Sequence, residues 1–198
     1  MYIPKCFEQA DKSKSIAFMQ AYNFAVIISV NDGLPIATHL PFVIAEKEDN
    51  IILFSHLSKN NPQWQTFKQQ EVLVVFSEPH AYISPKLYDK QQNVPTWNYI
   101  AVHAYGAVKI LNSKEEKMKV LLHQMTTYEP DYLDQFKQLS EKYIDDLLEE
   151  IVAFEINITQ LQAKEKLSQN KTTKERQNIK EHLTSAPDNT QSALGKYM

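Results

Sequence analysis

Short apolar segments separated by turn-forming residues dominate the chain up to residue 111. The clearest turn is Asn31-Asp32-Gly33, a strong β-hairpin sequence, which joins an apolar run at residues 24–30 to an extended segment at residues 34–45. Further strands are predicted at residues 51–56, 71–77, 81–84, 97–111 and 151–161. Short strands with few helices between them are typical of antiparallel barrels and not of doubly wound parallel sheets. We therefore expect an α+β fold built on an antiparallel β-barrel.

Turn and cap residues predict where the other elements begin and end. A polar turn is expected at residues 46–50, and Pro79 and Pro85 are expected to end strand pieces. Helices are predicted after Asp11, after Ser113 and Ser140, and over residues 172–183. Residues 185–198 are mostly polar, so we expect one domain over residues 1–184 and a disordered tail over 185–198.

Composition excludes several classes of protein. The 198 residues carry 21 Lys plus Arg against 24 Asp plus Glu, a formal charge of −3, which does not indicate a basic nucleic-acid or membrane surface. Three glycines are too few for a glycine-rich phosphate loop. The single cysteine, Cys6, forms no disulfide within the chain, and the six histidines lack metal-site spacing. No segment has signal-peptide or membrane-spanning character, so a soluble cytoplasmic protein without a metal is expected.

The segment after the predicted strand at 51–56 has the residue types of a phosphate site. Asn61 and Pro62 are an N-cap residue and a proline at the first helical position. Ser58, Lys59 and Asn60 precede them and offer a hydroxyl, a cation and an amide. The alternative is a solvated strand-to-helix turn with an exposed lysine.

Two further segments have the residue types of a wall around a planar ring. Thr96, Trp97 and Asn98 precede a long strand and combine an indole with hydrogen-bonding groups, although they also suit a plug at a barrel end. Thr38, His39 and Leu40 lie within a predicted strand, where a histidine is commonly structural. A polar stretch at residues 166–171 follows the last strand and resembles a helix-capping loop.

Taken together, these segments resemble the PaiB-like FMN-binding negative transcriptional regulators, a branch of the flavin-binding split-barrel superfamily. The matching stretches occur in the family's order from the N-terminus to about residue 183: Met1-Tyr2-Ile3-Pro4, His39-Leu40-Pro41-Phe42, residues 56–64, Pro79-His80-Ala81-Tyr82-Ile83-Ser84-Pro85, Pro95-Thr96-Trp97-Asn98-Tyr99 and Lys166-Leu167-Ser168-Gln169-Asn170. The resemblance implies an antiparallel split barrel with peripheral helices that binds FMN at a homodimer interface.

The resemblance also implies roles for individual residues. His56, Lys59, Asn60 and Asn61 are expected to contact the phosphate and ribityl groups of FMN. Thr38, His39 and Leu40 are expected to border the isoalloxazine ring. The remaining expected flavin contacts are Thr96, Trp97, Asn98, Gln169 and Asn170. No catalytic residue is predicted, because the flavin carries the redox chemistry.

The purpose of the flavin stays open at the level of sequence. The family resemblance implies a negative regulator of transcription, but no helix-turn-helix is evident, and the one basic stretch, residues 164–180, also suits a solvated helix face. DNA is therefore one possible partner. The alternatives are an FMN-dependent oxidoreductase acting on a small molecule and a flavin-holding module that acts through a protein partner.

Overall fold

A computed structural model describes residues 1–48, 50–68, 71–90 and 92–198. Within these ranges the chain forms seven β-strands and six α-helices. The strands are β1 (Phe24–Asn31), β2 (Leu34–Pro41), β3 (Val43–Lys47), β4 (Asn50–Ser58), β5 (Val72–Ile83), β6 (Thr96–Leu111) and β7 (Ile151–Lys166). The helices are α1 (Lys12–Ala21), α2 (Lys114–Tyr128), α3 (Tyr132–Phe136), α4 (Glu141–Glu149), α5 (Thr173–Thr184) and α6 (Asn189–Gly195).

The strands form one antiparallel sheet in the order β2-β1-β5-β6-β7-β4-β3, which does not close on itself. β1 pairs with β2 along its whole length, from Phe24 opposite Pro41 to Asn31 opposite Leu34. β4 pairs with β3 on one side and with β7 on the other. The predicted α+β class with an antiparallel sheet is confirmed.

The hairpin between β1 and β2 turns where the sequence predicts. Asp32 has φ 49° and Gly33 has φ 81°. Positive φ at both central residues is the requirement of a type I′ turn, whose twist matches that of the flanking strands. The Asn31-Asp32-Gly33 prediction is therefore confirmed.

Helix starts also follow the predicted caps. The Asp11 carboxylate accepts from the Ser13 amide at 2.9 Å at the start of α1. Ser113 and Glu116 form a capping box at the start of α2, and Ser140 caps α4. A second capping box, formed by Thr172 and Glu175, begins α5. No helix in the described ranges is both long enough and apolar enough to span a membrane.

The chain divides into two compact units. The first unit comprises Met1–Ser15, Ser77–His103 and Gln162–Met198, and the second comprises Ile16–Phe76 and Ala104–Leu161. In the second unit a group of buried aromatic rings forms part of the core, with centroid separations of 5.2–6.5 Å: Phe42, Phe67, Phe76 and Phe154. In the first unit α5 and α6 bury Ile179, Leu183 and Leu194 completely.

The extended segment predicted at residues 34–45 is two strands. The interruption falls at Phe42, whose amide donates to the carbonyl of Asn23 at 2.9 Å and whose ring is fully buried. The turn predicted at residues 46–50 includes residue 49, which lies outside the described residues. The prediction of two separate strand pieces around Pro79 is wrong, because β5 runs from Val72 to Ile83 without a break. A proline lacks one ladder donor, and the remaining residues of β5 still pair.

The prediction of a disordered tail is wrong for residues 189–195. These residues form α6, and the Asp188 carboxylate caps it by accepting from the Gln191 amide at 2.9 Å. Leu194 is fully buried. A Cβ placed on Gly195 would lie 2.7 Å from Thr184 Oγ1 and 2.8 Å from Thr184 N, so this helix end approaches α5 more closely than any side chain permits. One buried leucine and one close approach therefore order a segment whose composition is polar.

Candidate functional site

The turn after β4 has the local structure that its sequence predicts. Asn61 caps a short 3-10 helix, Pro62–Thr66, and its carboxamide oxygen accepts from the Gln63 amide at 3.0 Å. The Lys59 amide donates to the carbonyl of Glu150 at 2.8 Å, and the Asn60 amide donates to Ser58 Oγ at 3.3 Å. The backbone of the turn is thus held in place by the second unit's own groups.

The side chains of this turn fall into two classes. Those of Ser58, Lys59 and Asn60 are exposed, and neither the Lys59 ammonium nor the Asn60 carboxamide has a hydrogen-bond or ion-pair partner among the described residues. Asn61 differs, because its Nδ2 donates to Thr38 Oγ1 at 3.0 Å while its oxygen serves as the cap. A cation and two neutral polar groups are therefore available to a ligand, while the Asn61 side chain is occupied by the protein.

Gln63, which has no distinguishing pattern in the sequence, is the centre of a buried hydrogen-bond network. It is 1% exposed, and its Nε2 lies 3.1–3.2 Å from three acceptors, the carbonyls of Ile27 and Ile36 and Ser29 Oγ. Its oxygen accepts from Thr38 Oγ1 at 2.5 Å. Thr38 thus donates to Gln63 and accepts from Asn61, which leaves its hydroxyl no proton to offer a ligand. The network connects the turn after β4 to β1 and β2.

The three expected ring contacts on β2 do not share a face. Side chains alternate along a strand, and Thr38 and Leu40 lie on the side opposite His39. Leu40 is buried at 8% exposure. His39 is exposed and stacks on the ring of Phe24, with centroids 6.2 Å apart and planes at 27°. Of these three residues, His39 is the one whose side chain is open to a ligand.

His56 is half-buried on β4, and burial lowers its pKa below the usual value of 6.5, while a hydrogen bond with Gln124 on α2 opposes that shift. Its Nδ1 is buried and has no hydrogen-bond partner among the described residues. Phe54 lies two residues earlier on β4, on the same face, and its ring meets that of His123 on α2 at 5.4 Å. One polar atom of His56 is therefore unsatisfied under α2.

In the first unit, the three residues of β6 that were predicted to contact the flavin lie on two opposite faces of the strand. Asn98 is fully buried and forms two hydrogen bonds with Ser168. Its Nδ2 donates to Ser168 Oγ at 2.9 Å, and its Oδ1 accepts from Ser168 Oγ at 3.2 Å. Thr96 lies on the same face and accepts from the Lys166 ammonium, which also donates to the Trp97 carbonyl at 2.8 Å.

Trp97 itself faces the other way and is 53% exposed. Its ring lies 5.8 Å from that of His80 and 6.0 Å from that of Tyr82. Tyr82 is 50% exposed. We call these three residues the aromatic patch. The imidazole and the phenol are inclined at 49° and 75° to the indole, so the patch presents exposed aromatic faces and edges together with polar groups.

The loop after β7 contains the last two predicted residues. Gln169 is engaged locally, because it accepts from the Leu167 amide at 2.8 Å and donates to the Glu165 carbonyl at 2.6 Å. Asn170 is exposed and lines a cavity of about 210 Å³. Ser168 adopts φ 59°, a left-handed conformation that a non-glycine residue seldom takes.

Neither Lys166 nor Ser168 was predicted as a site residue, although both lie in the 166–171 stretch. Their partners Thr96 and Asn98 are 70 residues away in the sequence, so no local pattern indicates the contacts. Among the described residues no group of three or more His, Cys, Asp or Glu side chains could hold a metal ion.

The predicted cofactor residues therefore belong to two separate units. The second unit holds those from Thr38 to Asn61, and the first unit holds those from Thr96 to Asn170. Of the thirteen, seven use their side chains in hydrogen bonds within the protein: Thr38, His56, Ser58, Asn61, Thr96, Asn98 and Gln169.

Comparisons with known proteins show the family of the whole chain. Residues 1–160 match the family described as "Putative FMN-binding domain". The chain is 38% identical over 186 residues to "Protease synthase and sporulation protein PAI 2" of Bacillus subtilis, covering 92% of this chain and 89% of that protein. It is also 30% identical over 155 residues to the uncharacterized protein YKL070W of Saccharomyces cerevisiae, covering 66% of this chain and 91% of the yeast protein.

Solved structures share the fold at low sequence identity. The flavocytochrome Anf3 from Azotobacter vinelandii superimposes with a TM-score of 0.65 at 16% identity, over 80% of this chain and 69% of that one. An FAD- and heme-binding protein from Mycobacterium smegmatis superimposes with a TM-score of 0.62 at 13% identity, over 80% of this chain and 73% of that one. These likenesses show the fold, and with the strand order they confirm the predicted split barrel with peripheral helices.

Proposed function

Because the chain belongs to the PaiB-like FMN-binding family, whose cofactor is a flavin, we propose that it holds FMN at a homodimer interface and acts as a negative regulator of transcription. The name of the Bacillus subtilis relative points to the processes under control, protease synthesis and sporulation. FMN supplies one- and two-electron redox chemistry when bound. The chain's own residues bind the flavin, orient it and shield it.

The observation that carries the proposal is the free cation at the turn after β4. Lys59 is exposed without a counter-ion among the described residues, and Ser58 and Asn60 lie beside it in sequence on a backbone held by Glu150 and Asn61. A lysine with hydroxyl and amide groups on a fixed turn fits a phosphate dianion, since charge-assisted hydrogen bonds to phosphate are strong. This fit favours FMN over riboflavin, which lacks the phosphate.

Four of the residues engaged in protein hydrogen bonds take a different role in this proposal. Asn61 and Thr38 position the turn through Gln63, and Asn98 and Gln169 position the loop after β7. They act as positioning residues. The proposed direct contacts are Lys59, Asn60 and His39 in the second unit and, considered separately, Trp97 and Asn170 in the first unit. His56 is proposed to contribute through its unsatisfied Nδ1 under α2, a group that a ribityl hydroxyl reaching it would satisfy.

The aromatic patch supports the dimer. An indole that is 53% exposed beside a half-exposed Tyr82 is a costly surface to leave in water, and a planar ring or a second chain covers it favourably. If both subunits wall the flavin, FMN binds the dimer better than the monomer and shifts the equilibrium toward dimer by mass action.

The basic stretch at residues 164–180 gives little support to direct DNA binding. Lys164 is 7% exposed, Lys166 donates to Thr96 and Trp97, and Lys171 donates to Asn93 at 2.8 Å. Lys174 pairs with Asp89 at 2.8 Å. Of the six basic residues, Arg176 and Lys180 are left for a phosphate backbone, so the proposed regulation acts mainly through a partner or a small molecule that the flavoprotein binds.

Two measurements on the purified chain test this proposal. Apo-protein is titrated with FMN, FAD and riboflavin, and FMN is expected to bind most tightly. Sedimentation of apo- and holo-protein over a dilution series is expected to show more dimer with FMN. Equal affinities for FMN and riboflavin contradict the phosphate turn, and a monomer with full FMN affinity contradicts the shared site.

A further experiment distinguishes the proposed regulator from an FMN-dependent oxidoreductase. Anaerobic mixing of the holo-protein with NADH or NADPH is followed by the visible spectrum of the flavin. Slow reduction, with weak and salt-sensitive binding of a promoter fragment, supports regulation through a partner. Rapid catalytic turnover of a small oxidant supports the enzyme instead, and tight sequence-selective DNA binding at physiological salt supports a direct repressor.

A further inference from the structure

A cavity of about 210 Å³ in the first unit is lined by cations and neutral groups alone. Its lining residues are Phe7, Tyr88, Val94, Thr96, Lys166, Ser168, Asn170 and Lys171. Two ammonium groups, three hydroxyl side chains and one carboxamide thus surround a small space with apolar walls. No carboxylate belongs to this lining.

Both lysines of the cavity hydrogen-bond to neutral groups among the described residues, and neither forms an ion pair there, although the charge of Lys171 helps to lower the pKa of the Glu175 carboxyl. Lys166 donates to Thr96 Oγ1 and to the Trp97 carbonyl. Lys171 donates to Asn93 Oδ1 at 2.8 Å and lies over the Tyr88 ring, 4.0 Å from its centroid. Burial lowers the pKa of Lys166, and Tyr99 opposes this shift while Lys164 adds to it. Lys166 is thus a partly buried cation without an ion-pair partner among the described residues, which is unfavourable unless an anion joins it.

The third feature of the cavity is an unsatisfied phenol. Tyr88 is 9% exposed, and its hydroxyl oxygen is buried without a hydrogen-bond partner among the described residues. Burial raises the pKa of Tyr88, and the charge of Glu175 adds to this shift, so the hydroxyl stays protonated at neutral pH and remains a donor. Buried polar groups of this kind are rare in proteins, and a ligand is one of the explanations for them.

The nearest acidic groups are occupied elsewhere. The Glu175 carboxylate accepts from the Thr172 amide, the Thr172 hydroxyl and the Asp89 amide at 3.1–3.2 Å. The Asp89 carboxylate pairs with Lys174. A larger cavity in the second unit, of about 440 Å³, differs in this respect, because Lys109 there pairs with Glu155 and Glu116. The larger cavity has carboxylates beside its cations, and the smaller one has none.

We propose that the cavity in the first unit binds the phosphate or carboxylate group of a small molecule, with Lys166 and Lys171 as counter-charges and Tyr88 as hydrogen-bond donor. Cavities that enclose drug-sized ligands span about 300–1,000 Å³, so a space of about 210 Å³ suits a single anionic group with a short tail. The proposal does not rest on the flavin site, which has its own free cation in Lys59.

The anionic group has two possible sources, a separate small molecule and the phosphate of FMN. Isothermal titration of the full-length apo-protein with inorganic phosphate and with acetate measures the site itself. We expect saturable binding to the wild type, and a loss of roughly tenfold or more in affinity for Lys166→Met and for Lys171→Met, the range for hydrogen bonds to charged groups. Lys86→Met removes the same charge from a side chain outside the cavity and is expected to change nothing.

Tyr88→Phe gives a test that does not depend on lysine packing. Its hydroxyl has no protein partner to lose among the described residues, so the variant is expected to fold at least as well as the wild type, with phosphate affinity reduced several-fold. Unchanged phosphate affinity in Tyr88→Phe and in both lysine variants overturns the proposal, as does the absence of saturable binding to the wild type.

Competition identifies the source of the anion. If phosphate binds equally well to FMN-saturated protein, the cavity takes a separate molecule. If FMN displaces phosphate while riboflavin does not, and Lys166→Met weakens FMN but not riboflavin, the cavity holds the flavin phosphate. In that second case Lys59→Ala leaves FMN affinity unchanged, which contradicts the proposed turn site without contradicting the anion site.

Discussion

Asn98 and Ser168 hydrogen-bond to each other in both directions inside the first unit, with Nδ2 2.9 Å from Oγ and Oγ 3.2 Å from Oδ1. Both residues are buried, and Ser168 takes its place in the pair with a left-handed backbone of φ 59°. The pair joins the start of β6 to the loop after β7, and it explains why a carboxamide is buried there. The Asn98 side chain therefore serves the scaffold of the loop.

Ser168→Ala is expected to destabilise the protein by about 1–3 kcal/mol, because it leaves the Asn98 carboxamide buried without its partner. Urea unfolding at neutral pH measures the free energy of unfolding. Ser192→Ala is the control, since the Ser192 hydroxyl bonds the Asn189 carbonyl at an exposed position. An equally small effect in both variants contradicts the structural role of the pair.

Lys59→Ala is expected to weaken FMN binding by about 1.5–3 kcal/mol, the range for hydrogen bonds to a charged group, and to leave riboflavin binding unchanged. The physical reason is the loss of the free cation from the turn after β4. Flavin fluorescence quenching gives both affinities. Lys68→Ala is the control, because it removes an exposed lysine of the same unit, and it is expected to leave both affinities unchanged. Equal losses for FMN and riboflavin show that Lys59 does not hold the phosphate.

Gln63→Met keeps the approximate volume of a fully buried side chain but removes its hydrogen bonds. The carbonyls of Ile27 and Ile36 and the hydroxyl of Thr38 then lose a partner. We expect a loss of at least about 2 kcal/mol in the free energy of unfolding, since breaking a buried network is among the large effects. Gln65→Met, at an exposed position of the same 3-10 helix, is the control and is expected to change the free energy little.

Because the pKa of His56 is lowered in the folded protein, we expect the stability to depend on pH. Its folded pKa is lowered by burial, with the Gln124 hydrogen bond opposing, so the unfolded chain takes up the proton first as pH falls. Stability is then full above the unfolded value of about 6.5 and declines as pH falls from there toward the folded pKa. The pKa of His103, lowered by burial and by the N-terminal ammonium, acts in the same direction.

In apo-protein, His56→Gln is expected to flatten the loss of stability below about pH 6.5, and His39→Gln, at an exposed position, serves as the comparison. Urea unfolding at several pH values gives the slopes. A slope that is the same in His56→Gln and wild type shows that the buried imidazole does not contribute.

Trp97→Ala is expected to change the free energy of unfolding little, because half of the ring is exposed, yet to weaken FMN binding and dimerisation together. Sedimentation with and without FMN measures both. Tyr143→Ala is the matched control, because it removes an aromatic side chain of similar exposure, 52%, from α4. If Trp97→Ala lowers stability as a core substitution does and leaves flavin affinity unchanged, the aromatic patch is structural.

The features that could be predicted from the sequence are local ones. A type I′ turn needs Asp32 and Gly33 and nothing else, and the caps at Asp11, Ser113 and Ser140 act within three residues. For the same reason the N-cap at Asn61 was predictable. Each of these is decided by side chains that reach their own backbone.

The features that the sequence did not reveal depend on distant residues. Gln63 is buried because its partners on β1 and β2 lie 25–36 positions earlier, and nothing in its own neighbourhood marks it. Leu194 orders the last helix for a similar reason, since one apolar residue in a polar segment gives no periodic signal. The alternation along β2, which sets His39 apart from Thr38 and Leu40, follows once the strand is known but changes which residues face a ligand.

Each compact unit is assembled from segments that are not contiguous in the chain, the first from three and the second from two. A truncation from either terminus therefore removes a piece of the first unit, and an early stop within residues 104–161 damages both. Neither unit can be transferred to another protein by a single gene fusion or lost by a simple deletion. The turn at Lys59 belongs to the second unit and the lysine-lined cavity to the first, yet both units need the same uninterrupted chain to be complete.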